Sequence, residues 1–223
     1  PALYKKLAYD PQRDFAPVTQ IGSTPFILCV HPSVAAKSVA EFIALAKAQP
    51  GRLNYASSGT GGSTQLLTEL FKTMAGVNLV HIPYNGAGPA LTEVIGGQVQ
   101  SMFLVPAVAL PNVRSGRLRA LGISSAKRSG LAPELPTVAE AGVPGFEGSA
   151  WYGMVAPAKT PEALVRRIHG GVVAVLQSDD VRARMAAQGV ELVGSTPEQF
   201  TAFIRAEIAK WARVVAVSGA RAE

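Results

Sequence analysis

The sequence predicts an α/β protein, and three observations carry that prediction. Between Phe26 and Ser125, stretches with strand alternation are followed repeatedly by helical apolar stripes, which implies a mainly parallel sheet covered on both faces. One junction in that series, LNYASSGTGGSTQLLTELF from Leu53 to Phe71, reads as strand, Gly/Ser loop and helix, with no charge before Glu69. The C-terminal part is helix-heavy and has too few strands for an independent sheet, so it is expected to complete something else.

Taken in order, Phe26–Val30 reads as a strand and Ser38–Gln49 as a helix. Ser38 and Glu41 form a capping box there, and Val39, Phe42, Ile43 and Leu45 form the apolar stripe. The Leu53–Ser57 strand follows, then a helix with Leu66, Leu67, Leu70, Phe71 and Met74 on one face and Gly76 as its stop. Gly59, Gly61 and Gly62 are expected to supply positive φ, with Ser63 or Thr64 as the helix cap. Next come a strand at Asn78–Ile82, the loop Pro83–Gly88, a helix at Pro89–Ile95, a strand at Val99–Val105, a helical piece at Ala107–Arg114 and a strand at Leu118–Ser124. Ser125–Phe146 is rich in Pro, Gly and charge and reads as a linker with a short helix at Thr137–Ala141. A strand at Ala150–Val155 leads to a helix opening at Thr160–Pro161, with Leu164, Val165, Ile168, Val172, Val173 and Leu176 on its expected buried face. Gly170–Gly171 inside it implies close packing against another element. A helix at Asp179–Gln188, a strand at Val190–Val193 and a long helix at Thr196–Val217, opened by Thr196 and Gln199, end the chain.

With 223 residues, 48% of them hydrophobic, the chain can bury a substantial core in one large domain or two lobes. It contains no run of eighteen apolar residues, so no segment is read as inserted in a membrane. Pro1–Phe15 lacks the order of a signal peptide, and processing or truncation upstream is expected. The net charge of +6 is scattered, with Lys5–Lys6, Lys127–Arg128 and Arg166–Arg167 the adjacent basic pairs, so nucleic acid is not an expected partner. The single Cys29 lies in the apolar run PFILCV and is expected to pack as a small hydrophobe.

In an open parallel sheet, ligands sit beyond the carboxyl ends of the strands. Ser57–Thr64, Tyr84–Gly88 and Val105–Ala107 qualify, and none holds a charged residue. The unpaired N–H groups of a helix start and the positive end of its dipole suit a carboxylate or phosphate, with Ser57, Ser58, Thr60, Ser63 and Thr64 as further donors. Ser63 stands where a Walker loop has lysine, and the dinucleotide glycine spacing is missing, so no nucleotide cofactor is expected. His81 is the only titratable group near these loops, and a lone histidine in a strand is more often structural. Tyr84 and Asn85 either close over a ligand or form a plain turn with the Tyr84 ring against the sheet. Trp151 and Tyr152 read as packing residues between lobes.

The segments YASSGTGGS (Tyr55–Ser63), HIPYNG (His81–Gly86), GGQV (Gly96–Val99), GRLRAL (Gly116–Leu121), PTVAEAG (Pro136–Gly142) and APAKTP (Ala156–Pro161) together resemble the Bug family, the solute-binding receptors of tripartite tricarboxylate transporters. The resemblance runs from about Leu3 to the C-terminus. It implies a type II periplasmic-binding-protein-like fold with two α/β lobes and a hinge, one lobe complete and the other partial. Residues 21–142 would be the ligand-binding lobe, and 1–20 with 143–223 the hinge and the remainder of the other. It further implies a periplasmic receptor, without catalytic residues, metal or cofactor, that captures a small carboxylate and delivers it to membrane permease subunits. Carried over, Ser57, Ser58, Gly59, Thr60, Gly61, Gly62 and Ser63 form one carboxylate-binding turn and Tyr84, Asn85 and Gly86 its neighbour. Family members commonly carry Lys where Asn85 stands. They also usually open with a signal peptide and a further strand and Gly-rich loop, so an N-terminally truncated receptor is expected. Two readings compete with this one. An enzyme of the phosphoryl- or acyl-transfer type would need a base or metal cluster near Ser58, and a non-binding truncated remnant would keep its loop glycines for folding alone.

Overall fold

The computed structural model describes residues 1–4 and 6–221, so Lys5 of the first basic pair lies outside the described residues. In chain order the elements are β1 (Phe15–Pro25), β2 (Ile27–Val30), α1 (Val39–Ala48), β3 (Asn54–Ser57), α2 (Ser63–Ala75), β4 (Val80–Pro83), α3 (Ala87–Ile95), β5 (Ser101–Leu104), α4 (Pro106–Arg114), β6 (Arg119–Ile123), β7 (Ser149–Pro157), α5 (Glu162–Leu176), α6 (Asp179–Ala187), β8 (Glu191–Leu192) and α7 (Pro197–Ser218).

The strands form a five-stranded sheet, ordered β4-β3-β5-β2-β6, and a three-stranded sheet, β7-β1-β8. β3 runs parallel to both β4 and β5. β2 pairs antiparallel with β5 and β6, which corrects the mainly parallel expectation at one interior strand. The reason lies in the connection: β2 enters straight from β1, with only Phe26 between them, so no helical crossover fixes its direction. β1 itself escaped the sequence reading. Its pairing with β7 shifts register between Pro17 and Thr19 and again between Gln20 and Gly22, and such bulges erase the period of two by which a strand is recognised. The C-terminal part does complete another element, because β7 and β8 both pair with β1.

Alternation sorts the interior of the larger sheet. Leu28, Val30, Tyr55 and Phe103 join Val39 and Phe42 of α1 and Leu67 and Phe71 of α2 in one cluster. Ile27, Cys29, Ala56, Met102 and Leu104 point the other way, against Ala90 and Val94 of α3 and Ala109 of α4. Cys29 is fully buried there, and burial pushes its thiol up to about 12, so it packs as an apolar side chain. The two chain crossings between the sheets are tied together by Ser124. Its hydroxyl accepts from Phe26 N (2.8 Å) and donates to Gly148 O (2.5 Å).

Several local expectations are corrected. The N-cap of α2 is Gly62, with no side-chain cap, and not Ser63 or Thr64. Gly62 has φ −73°, so it does not need positive φ; Gly59 (136°) and Gly61 (79°) do. At α1 the Ser38 side chain accepts from Glu41 N, but Glu41 reaches back to Lys37 N instead of closing the box on Ser38. Thr137–Ala141 is a single turn with the capping exchange of a helix start, Glu140 N donating to Thr137 Oγ1 and Thr137 N to Glu140 Oε2. Along α5 only Val165 is buried, Leu164 is 45% exposed, and Gly170 and Gly171 face open space. The amphipathic stripe shows which face is apolar, not what covers it.

Candidate functional site

β4, β3 and β5 are adjacent and parallel, so their carboxyl ends lie along one edge of the sheet. From that edge β3 leads to α2, β4 to α3 and β5 to α4, which brings the three loops read from sequence to the same side. The first two are also bonded to each other. Tyr84 N donates to Ser57 O (3.1 Å) and Gly86 N to Ser58 O (3.2 Å), while Gly86 N also closes a three-residue turn on Tyr84 O (2.9 Å) with Asn85 exposed at its tip.

The helices opening at this edge differ from the rest in their charge. α2, α3 and α4 have no acidic residue in the first turn and no side-chain cap. α1, α5, α6 and α7 each carry at least one acidic residue there, namely Glu41, Glu162, Asp179 with Asp180, and Glu198. A carboxylate at a helix start stabilises it by about 0.3–1 kcal/mol, so its omission leaves the N-terminal amides available to an external anion. Among the described residues, the backbone N–H groups of Thr60, Ser63, Thr64 and Gln65 have no protein acceptor.

The side chains of the loop divide between lining and support. Ser57 is fully buried and its hydroxyl lies 2.6 Å from His81 Nε2, so it braces the loop from inside. Ser58 N donates to Thr64 Oγ1 (3.1 Å), and the two hydroxyls lie 3.2 Å apart, so Thr64 supports Ser58. Thr60 and Ser63 are exposed, and Gly59, Gly61 and Gly62 bring backbone to the surface between them. Tyr84 packs against the cluster under α3 and α4, where burial first and Glu93 second hold its phenol above the ordinary range. Trp151 packs edge-on against Phe200 and Phe203 of α7, and Tyr152 is half exposed.

Beneath the loop lies a polar cluster that sequence reasoning missed. Gln65 accepts from Gly61 N (2.6 Å) and its amide nitrogen lies 3.2 Å from His81 Nδ1. The His81 ring stacks on Tyr55 at 4.9 Å between centroids. Tyr55 donates to Glu69 Oε1 (2.5 Å), which also accepts from Lys72 Nζ (2.8 Å). Burial first, then the hydrogen bond to Glu69 and the charge of that carboxylate, raise the Tyr55 phenol, so it stays a donor. One signal pointed to this cluster: Gln65, Thr68, Glu69 and Lys72 recur at helical spacing beside the apolar stripe of α2.

Comparison with known proteins now decides the family. The model of the tripartite tricarboxylate transporter family receptor matches residues 1–219. The chain belongs to that family. Among its relatives, protein BugT of Bordetella pertussis is 37% identical over 220 residues, a match covering 99% of this chain and 68% of BugT. Among solved structures, the R. palustris protein Rpa4515 with adipate aligns with TM-score 0.85 at 36% identity, covering 98% of this chain and 73% of that one. MatC of Rhodopseudomonas palustris with bound malate aligns with TM-score 0.81 at 33% identity, covering 96% and 74%. The chain thus spans about two thirds of BugT and about three quarters of either solved receptor. Its fold is the two-lobe, periplasmic-binding-protein-like α/β fold of this receptor family, and the five-stranded sheet with its four flanking helices carries the edge described above.

Proposed function

We propose that this chain captures a small carboxylate in the periplasm and releases it unchanged to the permease of a tripartite tricarboxylate transporter. Its ligand-binding lobe is 21–142, whose first residues are the end of β1 and still pair with β7 and β8 of the three-stranded sheet, and 1–20 with 143–223 belong to the hinge and the other lobe. The observation that carries the reading is the meeting of three acid-free helix starts on one sheet edge, in a chain whose other helices all open with an acidic residue. Thr60, Ser63 and the open amides of the α2 start take the acid group, with Gly59, Gly61 and Gly62 allowing close approach. Asn85 and Gly86, with Tyr84 behind them, close the neighbouring side, and Ser57 and Ser58 hold the loop in shape. The bound adipate and malate of the two solved relatives, both dicarboxylates, support a dicarboxylate within the small-carboxylate class.

The energetics close without a cation. Micromolar affinity requires about 8 kcal/mol, while each hydrogen bond to a charged acceptor contributes about 1.5–3 and a helix start up to about 2 kcal/mol. A bound acid is not expected to react, because both ring nitrogens of His81 already face protein groups.

Ser63→Asp tests this directly. A carboxylate at the first position of α2 fills the place of the ligand's own acid group while favouring the helix, so melting temperature should hold or rise as binding is lost. Calorimetry with malate, adipate and a panel of amino and aromatic acids should show heat for at least one acid with the wild type and none with the variant. Equal heats for both proteins would overturn the placement of the site. The same heat accompanied by chemical conversion of the acid would favour an enzyme.

A further inference from the structure

His81 joins the strand beside the loop to the helix behind it, and the hydrogen bonds around it fix its protonation. Gly61 N donates to Gln65 Oε1 at 2.6 Å, which orients the amide and leaves Gln65 Nε2 as the group facing His81 Nδ1 at 3.2 Å. An amide nitrogen is a donor only, so Nδ1 has to be the bare, accepting nitrogen. The proton then sits on Nε2, which donates to Ser57 Oγ at 2.6 Å. Ser57 passes its own proton toward Gly59 O at 3.2 Å and accepts from Gly59 N at 3.3 Å. The bonds run in one direction from Gly61 through Gln65, His81 and Ser57 to Gly59, so both glycines of positive φ are held by one chain.

We propose that His81, kept neutral with its proton on Nε2, is the positioning residue of the Ser57–Gly61 loop, and that a proton on Nδ1 releases the loop. A second proton would set an imidazolium N–H against the Gln65 N–H. Turning the amide to accept it would leave Gly61 N facing an amide nitrogen, so one bond of the chain is lost either way. The charged and titratable groups facing the ring are Tyr55 of β3, stacked on it, and Glu69 and Lys72 of α2. Burial is the largest influence and lowers the imidazole below its ordinary value; the Glu69 carboxylate opposes this and the Lys72 ammonium adds to it. The sign follows from proton counting. Between the lowered value and about 6.5 the unfolded chain binds more protons than the folded one, so this contribution to stability is full above about pH 6.5 and is lost as pH falls through the lowered value. That the released loop also releases ligand rests on the carboxylate-receptor reading; the clamp on the loop does not.

Nitrogen-15 NMR of the His81 ring in the ligand-free chain at about pH 7.5 should show Nδ1 bare and Nε2 protonated. On acidification the amide resonances of Gly59 and Gly61 should shift together with the ring. A protonated Nδ1 at neutral pH, or glycine resonances that ignore the His81 titration, overturns the proposal. Gln65→Glu gives a second arm, because a carboxylate there accepts from both Gly61 N–H and Nδ1–H. The His81 transition should then move to higher pH and the loop should stay held in acid; an unmoved transition overturns the proposal. With malate and adipate as probes, the wild type should lose at least about twofold more affinity than Gln65→Glu as the pH is taken from about 7.5 down through the His81 transition that NMR locates. Comparing the two proteins cancels the titration of the acids, and an equal loss in both counts against the link to ligand release. If no acid of the calorimetric panel binds at any pH while the NMR results stand, the carboxylate reading fails and the clamp holds.

Discussion

Gly153 in β7 shows how far single positions are constrained here. A Cβ placed on it would lie 2.7 and 2.9 Å from Phe200 Cε1 and Cε2 and nearer still to Cζ. The Phe200 ring is 1% exposed and wedged edge-on against Trp151 at 5.8 Å, so it has no free direction in which to yield. Gly153→Ala should therefore destabilise the chain by about 1–3 kcal/mol, the ordinary cost of one methyl too many in a packed interior. Urea melts read this as a lowered midpoint, and Phe200→Leu in the same chain should restore part of it. An unchanged midpoint for the single variant would show that β7 shifts away from α7 to make room. The loop glycines differ in kind. Gly59 and Gly61 are required by their dihedral angles, so substitution there distorts the Ser57–Gly61 turn, even though a Cβ at Gly59 would meet nothing nearer than Tyr84 O at 3.6 Å.

Among the elements, the two crossings between the sheets depend on Ser124. Its side chain serves Phe26 N in the β1–β2 passage and Gly148 O just before β7, while its own N–H and C=O complete backbone bonds to Phe26 O (2.8 Å) and from Gly148 N (3.0 Å). Ser124→Ala keeps the backbone pair and strands two buried groups, which should cost about 1–3 kcal/mol for each left unsatisfied. The urea midpoint should fall with the slope of the transition unchanged; a midpoint at the wild-type value would mean that water replaces the hydroxyl. α2, the loop before it and the Thr196–Gln199 box of α7 were readable from the sequence because their signals are local: a stripe, a run of glycines, a side chain three residues from its partner. The reversed direction of β2 was not, since no local pattern encodes strand direction. β1 was hidden by two bulges, and the exposed stripe of α5 was overread because apolar spacing does not name a covering surface. The Gln65–His81–Ser57 chain required the register that sets Tyr55 opposite His81, a fact of pairing between strands.

For the whole molecule, α2 connects the edge with the three loops to the junction of the two sheets. Its first turn faces the loop, and Leu66, one residue past Gln65, lines a cleft of about 200 Å³ with Trp151, Trp211 and Ile208. Those are the two tryptophans of the chain, Trp151 from the three-stranded sheet and Trp211 packed on the interior beneath the five-stranded one. Both indoles donate to the same carboxylate oxygen, Glu207 Oε2, at 3.2 and 2.8 Å. Indole emission therefore reports on the place where α7 joins the sheets, next to the helix whose start is the proposed ligand site. Adding a bound acid should change tryptophan emission along the same saturation curve as the calorimetric heat, and Ser63→Asp should abolish both. Glu207→Gln keeps an oxygen acceptor but removes the charge shared by the two indoles, so it should alter the emission of the free protein and shrink the ligand-induced change, with affinity altered less than threefold because the residue lies away from the site. Heat of binding with no change in emission would show that the α2 start takes its ligand without moving the junction, and that the two sheets respond to it independently.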